Sequence, residues 1–296
     1  AIIKAKAPKE AGTAPVVRAV QPVALPAAAA TLLDSYPLPL RPVLAEKSRG
    51  KPESGYWLTE RALRDYMAGR VPRAADLVKS ADLWKTDARV GVGLDPDKRS
   101  AAEGRLFTAE AVAMVRRLKP GNQEGFDVGF LVGVAGCEPP REGMLRVGGD
   151  GRAMAVYPLD GYELPEPDHE AIVRARRCRM ILASPGIFAG GWLPTGVEQV
   201  NGEYRFELHG VSARLVAACV PRAGWISGWD LARERPKPAL RVAPTGSVYW
   251  LDDLEASAKD LRALIAAGLW SELYLDPVRR AEGFNRIWLA EWTKQD

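Results

Sequence analysis

Short apolar runs separated by glycine-rich turns recur along this chain, and the helical stretches between them follow no strict strand–helix alternation. A doubly wound parallel sheet needs a crossover, usually a helix, between successive strands. The pattern therefore predicts an α+β fold with largely antiparallel sheets. Met144 to Val147 and Ala153 to Tyr157 flank Gly148-Gly149-Asp150-Gly151, a hairpin signature, because glycine and aspartate tolerate the positive φ of a tight turn. Further strands are predicted at Phe126 to Val134, Arg179 to Leu182, Tyr204 to Leu208, Val211 to Val220 and Ile287 to Trp292. Three helices are predicted. One is capped by Thr59, carries Leu63, Tyr66 and Met67 on one face and closes at Gly69. The second is capped by Thr108 and runs through Val112, Met114, Val115 and Leu118 to Lys119-Pro120-Gly121. The third is capped by Asp252 or Asp253, turns Leu254, Leu261, Leu264 and Ile265 inward and ends at Gly268.

Ahead of Gly55 the chain is rich in Ala and Pro, and Pro8, Pro15, Pro22, Pro26, Pro37, Pro39 and Pro42 leave no room for a helix of normal length. This stretch is expected to be extended, either held by other parts or mobile. Pro158 to Glu170, with three prolines and five acidic residues and no periodicity, reads as a linker. The expected organisation is an extended segment at 1–54, a first domain with its linker at 55–170 and a second domain at 171–296.

Composition excludes several classes. A chain of 296 residues with 47% apolar and 26% charged residues is not wholly disordered. Its cations are 29 Arg and 12 Lys against 37 acidic residues, a net charge of +4. Guanidinium suits phosphate or carboxylate recognition, although codon bias accounts equally well for an excess of Arg and Ala. Cys137, Cys178 and Cys219 are far apart and odd in number, so neither a disulfide framework nor a zinc ribbon is predicted. A reducing, cytoplasmic setting is expected. No apolar run approaches the roughly 20 residues of a membrane span, and the opening AIIKAKAPKE lacks the apolar core of a signal peptide. The first residue is Ala rather than Met, as in a part of something longer.

Catalytic constellations do not assemble. His169 and His209 are the two histidines, neither at a metal-ligand spacing nor beside an obvious nucleophile. Asp95-Pro96-Asp97-Lys98 lacks the ligand spacing and closing Glu of a calcium loop and reads as a turn. There is no phosphate loop of the GxxxxGK type. No catalytic residue, metal or cofactor is expected. The recurring feature is a glycine-rich turn flanked by Arg or Lys, as at Arg89 to Gly93, Gly104-Arg105, Gly148 to Arg152 and Lys237 through Arg241 to Gly246-Ser247. Glycine lets a backbone approach a phosphate while Arg supplies a fork of donors, and such loops can follow single-stranded nucleic acid. The same glycines also simply permit hairpins. Trp192, Trp225 and Trp229 lie among glycines; an indole there can stack on a base, but packing is the expected role.

Taken in order, the segments resemble one family. They are Gly55 to Thr59, Arg89 to Asp95, Gly104 to Thr108, Gly148 to Arg152, Ser184 to Phe188 with Gly191 to Pro194, Ser227 to Asp230, Lys237-Pro238, Pro244 to Tyr249 and Gly283-Phe284. The series is similar to the third subunit of the Cmr complex, the type III-B CRISPR effector, a member of the RAMP superfamily. The resemblance implies two ferredoxin-like, RRM-type domains with inserted hairpins, whose glycine-rich loops bind the repeat-derived 5′ tag of the guide crRNA. It implies docking on the large polymerase-like subunit and on a neighbouring RAMP backbone subunit, without catalysis. On this reading Arg89, Arg105, Arg152, Lys237 and Arg241 face phosphates, Gly104, Gly148, Gly149, Gly246 and Ser247 form the close-approach loops, and Trp229 anchors a protein partner. Two departures stand out. The strand and Pro-rich Ser/Thr-Gly segment that usually open the family are not found before Gly55, and its terminal GFG loop reads Gly283-Phe284-Asn285 here. Two other readings are a metal-independent RAMP endoribonuclease with His209 as general base, and the equivalent subunit of a type III-A complex.

Overall fold

The computed structural model of the chain describes residues 17–26, 36–44, 55–117, 126–134, 136–148, 152–230, 232–273 and 275–293. In chain order these hold β1 (Val20–Val23), β2 (Arg41–Leu44), β3 (Tyr56–Leu58), α1 (Glu60–Met67), β4 (Leu77–Lys79), β5 (Trp84–Leu94), β6 (Ala101–Met114), β7 (Arg116–Arg117), β8 (Phe126–Asp127), β9 (Met144–Arg146) and β10 (Ala153–Ala155). Then follow α2 (His169–Ala175), β11 (Cys178–Leu182), β12 (Val197–Val200), β13 (Glu203–Leu208), β14 (Val211–Cys219), β15 (Gly224–Ile226), β16 (Trp229–Asp230), β17 (Arg235–Pro236), β18 (Leu240–Val242), β19 (Val248–Glu255), α3 (Ala258–Ala267), α4 (Pro277–Ala281) and β20 (Ile287–Glu291). The fold is mixed, with short helices and mostly antiparallel sheets. None of the described helices is long and apolar enough to cross a membrane. The described residues group into two compact units. One draws on Ala1–Ser54, Leu58–Leu77 and Pro165–Asp296, the other on Gly55–Trp57 and Val78–Leu164. The units share the cut expected at 54/55 and otherwise divide the chain at 57/58, 77/78 and 164/165.

The first unit is built on a six-stranded antiparallel sheet in the order β12-β13-β14-β19-β11-β20. Its central strands are apolar on both sides, because both faces are covered. Met180, Leu182, Tyr249, Leu251 and Leu215 join Ile172 of α2 and Leu261 and Leu264 of α3 in one core. Ile181, Val216, Val248, Trp250 and Ala290 join Tyr66 of α1 and Trp292 in a second. Helix α1 begins where expected: Thr59 Oγ1 accepts from the Ala62 N–H, and Ala62, Tyr66 and Met67 are the buried residues. Helix α3 ends at Gly268 as expected, but its cap is Ser257, which forms a capping box with Asp260. Asp252, Asp253 and Leu254, read as the start of that helix, continue β19 instead. The expected linker ends early, because Asp168 caps α2 and His169 and Glu170 lie in its first turn.

Part of the Pro-rich start is held in place. Strand β14 outruns its neighbour β13, whose pairing stops at Arg214, and segment 36–40 lies along the strand edge beyond that point. The Leu40 N–H donates to Val216 O at 2.9 Å. The Tyr36 hydroxyl donates to Ala218 O at 3.0 Å and accepts from the Ala218 N–H at 2.8 Å. Leu38 is buried in the core between them. Arg41 stacks over the Tyr36 ring at 4.2 Å and donates to Tyr36 O and Leu38 O.

The second unit is made of ribbons. β5 and β6 form a long antiparallel hairpin from Trp84↔Met114 to Leu94↔Ala101. The helix predicted from Thr108 to Leu118 is overturned over its described part, since Thr108 to Met114 belong to β6. Thr108, Glu110, Val112 and Met114 alternate with Ala109, Ala111 and Ala113, and cross-strand pairing uses that period of two in preference to the helix propensity of Ala. Leu118 to Gly121 lie outside the described residues. β9 and β10 pair as the predicted hairpin. Of the strand expected from Phe126 to Val134, only Phe126–Asp127 pairs, with Arg116–Arg117.

Candidate nucleic-acid interface

The expected site residues fall in both units, and the geometry of each group is local. In the second unit Arg89 and Arg105 stand on the long hairpin, but not in turns. Arg89 to Gly93 lie inside β5 and Gly104-Arg105 inside β6. The turn joining the strands is Asp95 to Ser100, where Asp95 Oδ1 accepts from the Asp97 and Lys98 N–H groups. The glycines here make room for cross-strand side chains. A Cβ on Gly91 would lie 2.5 Å from the Phe107 ring, and one on Gly93 would lie 3.0 Å from Arg105 Cβ. Gly104, at φ +72°, sits where the register shifts between Val92 and Leu94.

The hairpin is two-faced, because residues directly opposite in an antiparallel pair share a face. Arg89, Gly91, Gly93, Arg105 and Phe107 lie on one side; Val90, Val92, Leu106 and Val112 lie on the other and are exposed. Arg89 is held by Asp87 at 2.8 Å, whereas Arg105 is exposed and makes no ion pair among the described residues. At the smaller hairpin Gly148 has φ +82° with open space around it. The Val147 N–H donates to the carbonyl of the half-buried Arg152. Gly149 lies outside the described residues.

In the first unit the segment from Gly224 to Val242 folds as two successive ribbons, β15–β18 and β16–β17. Lys237 is engaged: its Nζ meets Glu282 at 2.5 Å and its backbone N–H donates to Gly228 O. Hydrogen bonds from Lys237, and then Arg279, hold the Glu282 carboxyl below the usual carboxylate range. Arg241 is exposed, stands directly opposite Trp225 and makes no ion pair among the described residues. Gly246 adopts φ +84° in an open turn. Ser247 is a correction to the expected set: it is fully buried and donates its hydroxyl to Pro244 O at 2.6 Å, so it turns the chain rather than facing solvent.

The three tryptophans part company. Trp192 packs beside Tyr204. Trp225 and Trp229, expected to pack, are 71% and 55% exposed, and Trp229 stands opposite Pro236. Their exposure was invisible before the pairing was known, because only the partner strand shows which side of a ribbon faces solvent. His209 sits at the β13–β14 turn with φ +51°, and its Nε2 hydrogen-bonds Trp270 O at 2.9 Å. No cluster of three potential metal ligands occurs among the described residues.

The model of a family described as CRISPR-associated protein (Cas_Cmr3) matches residues 5–292. No curated protein matches the chain. Among solved structures the chain is similar to one from a cryo-EM structure of the Type III-B Cmr-beta bound to cognate target RNA, at 18% identity and a TM-score of 0.35. That likeness covers 57% of this chain and 45% of the other, so it spans less than half of the relative's length.

Proposed function

The chain belongs to the Cas_Cmr3 family of CRISPR-associated proteins, and from that premise we propose that it is a non-catalytic scaffold subunit of a type III-B CRISPR effector, acting in the cytoplasm in antiviral defence. It binds the 5′ tag of the guide crRNA and docks on the large polymerase-like subunit and a neighbouring RAMP subunit. The observation that carries the reading is the family match across almost the whole chain. The surface supports it. Arg105 and Arg241 are exposed cations without ion pairs among the described residues, each beside an exposed aromatic ring, Phe107 or Trp225. This is the combination that suits unpaired RNA. The ferredoxin-like reading of 171–296 is supported by the sheet, because β14-β19-β11-β20 are the second, third, first and fourth strands of that set in chain order.

Salt dependence tests the RNA contact. Removing one phosphate contact lowers the slope of log affinity against log salt by about 0.7 for single strands. Replacing Arg105 and Arg152 together with Ala is expected to weaken tag-RNA binding and reduce that slope by about 1.4. An unchanged affinity and slope would show that these hairpins do not hold the RNA.

A further inference from the structure

The β15–β18 ribbon places its residues in an order that packing alone does not explain. Its inner side is apolar, with Val242 only 4% exposed and Ile226 and Leu240 half-buried opposite each other. The outer side of such a ribbon is ordinarily polar, yet it carries Trp225, 71% exposed, directly across from Arg241. Side chains at opposite positions share a face with Cβ atoms about 5 Å apart, so an indole plane and a guanidinium stand together in solvent.

The surrounding charge selects what can dock there. Between residues 220 and 242 the chain has five cations, Arg222, Arg233, Arg235, Lys237 and Arg241, and two carboxylates, Asp230 and Glu234. Lys237 is taken by Glu282 and Arg233 by Asp230. Arg222, Arg235 and Arg241 are exposed and make no ion pair among the described residues. A partner that offers anionic groups and a flat aromatic surface matches this combination of exposed cations and indole.

We infer that Trp225 and Arg241 form a stacking site for one unpaired base of a single-stranded nucleic acid, the indole under the base and the guanidinium on the adjoining phosphate. This rests on the RNA-binding reading above and adds a residue and a contact type to it. Duplex strands hide their base faces, so the site discriminates against them. Stacking on an aromatic side chain is sequence-tolerant, so it adds affinity without base identity.

The test uses the full chain with a fluorescent single-stranded oligouridylate and an abasic oligomer of equal length and charge. Trp225→Ala is expected to weaken oligouridylate binding roughly 5- to 150-fold with its salt slope unchanged, and to leave the abasic oligomer unaffected. Trp225→Phe, which keeps a ring, is expected to retain most of the affinity, and circular dichroism is expected to show the wild-type fold in both. Arg241→Ala is expected to lower the slope by about 0.7. Unchanged oligouridylate binding by Trp225→Ala overturns the inference while the RNA-binding reading stands. An equal decrease for the abasic oligomer also overturns it, since the ring would then not be reading a base. Failure of the wild-type chain to bind any single strand would instead overturn the reading on which the inference rests.

Discussion

Arg179 is buried with its hydrogen bonds spent on two main-chain carbonyls. Its Nη2 donates to Tyr66 O at 2.5 Å, its Nε donates to Glu291 O at 3.0 Å, and the guanidinium lies 4.3 Å from the centre of the Tyr66 ring. A cation against the last carbonyls of α1 suits the negative end of that helix and ties it to the edge strand β20. Cys178 beside it is fully buried, which pushes its thiol up to about 12 and leaves it inert toward thiol reagents. His169 is buried too, and its Nε2 has no hydrogen-bond partner among the described residues. Burial, then the nearby Arg262, lowers its pKa from 6.5. The unfolded chain therefore takes up a proton first as pH falls through 6.5, and the native state loses stability from there downward until His169 itself titrates. Chemical unfolding at pH 7.5 and at pH 5.5 is expected to show a fall in stability that His169→Leu reduces. A fall of equal size in the variant would exclude His169 as its source.

The elements show where residue pattern decides local structure and where partners do. Thr59, the β9–β10 hairpin and the short apolar runs of β11, β13, β14 and β20 were legible because each signal is local: a cap, a glycine-rich stretch between two strands, an apolar run. β6 was not, since Thr108 to Met114 suits both periods and β5 decides between them. The start of α3 was misplaced because Asp252 and Asp253 are good cap residues, and only pairing with β14 shows that they lie in a strand. At the candidate site, Arg105 and Arg241, expected to face phosphates, are exposed, but Ser247 and Lys237 could not be known to be occupied before Pro244 and Glu282 were seen beside them. Segment 36–40 acts as an element although it is not a strand, because it supplies partners to β14 where β13 has ended. Leu38→Ala is expected to cost about 2–5 kcal/mol by opening a cavity in the core, and to raise hydrogen exchange at the Leu40 and Ala218 amides, which donate across this contact. A destabilisation below about 0.5 kcal/mol with unchanged exchange would show that the sheet does not depend on this segment.

At the scale of the whole molecule, a net charge of +4 over 296 residues gives only weak long-range attraction to RNA. Affinity must come from local groups, such as Arg105 with Phe107 on the long hairpin and Arg241 opposite Trp225 on the β15–β18 ribbon. A lone chain is thus expected to bind single-stranded RNA loosely, and a protein partner that adds contacts to the RNA is expected to tighten it. Trp229 is exposed and is expected to serve such a partner as an aromatic anchor, of the kind that carries binding energy at protein interfaces. The central claim, a scaffold that holds the 5′ tag of a guide RNA, is tested most directly by what the protein carries from the cell. The chain is co-expressed with the large subunit and a CRISPR array, purified through that subunit, and the 5′ ends of the bound RNA are sequenced. The account predicts co-purification of both proteins with RNA sharing one repeat-derived 5′ end. Co-purification with no RNA, or with RNA of random 5′ ends, would contradict it.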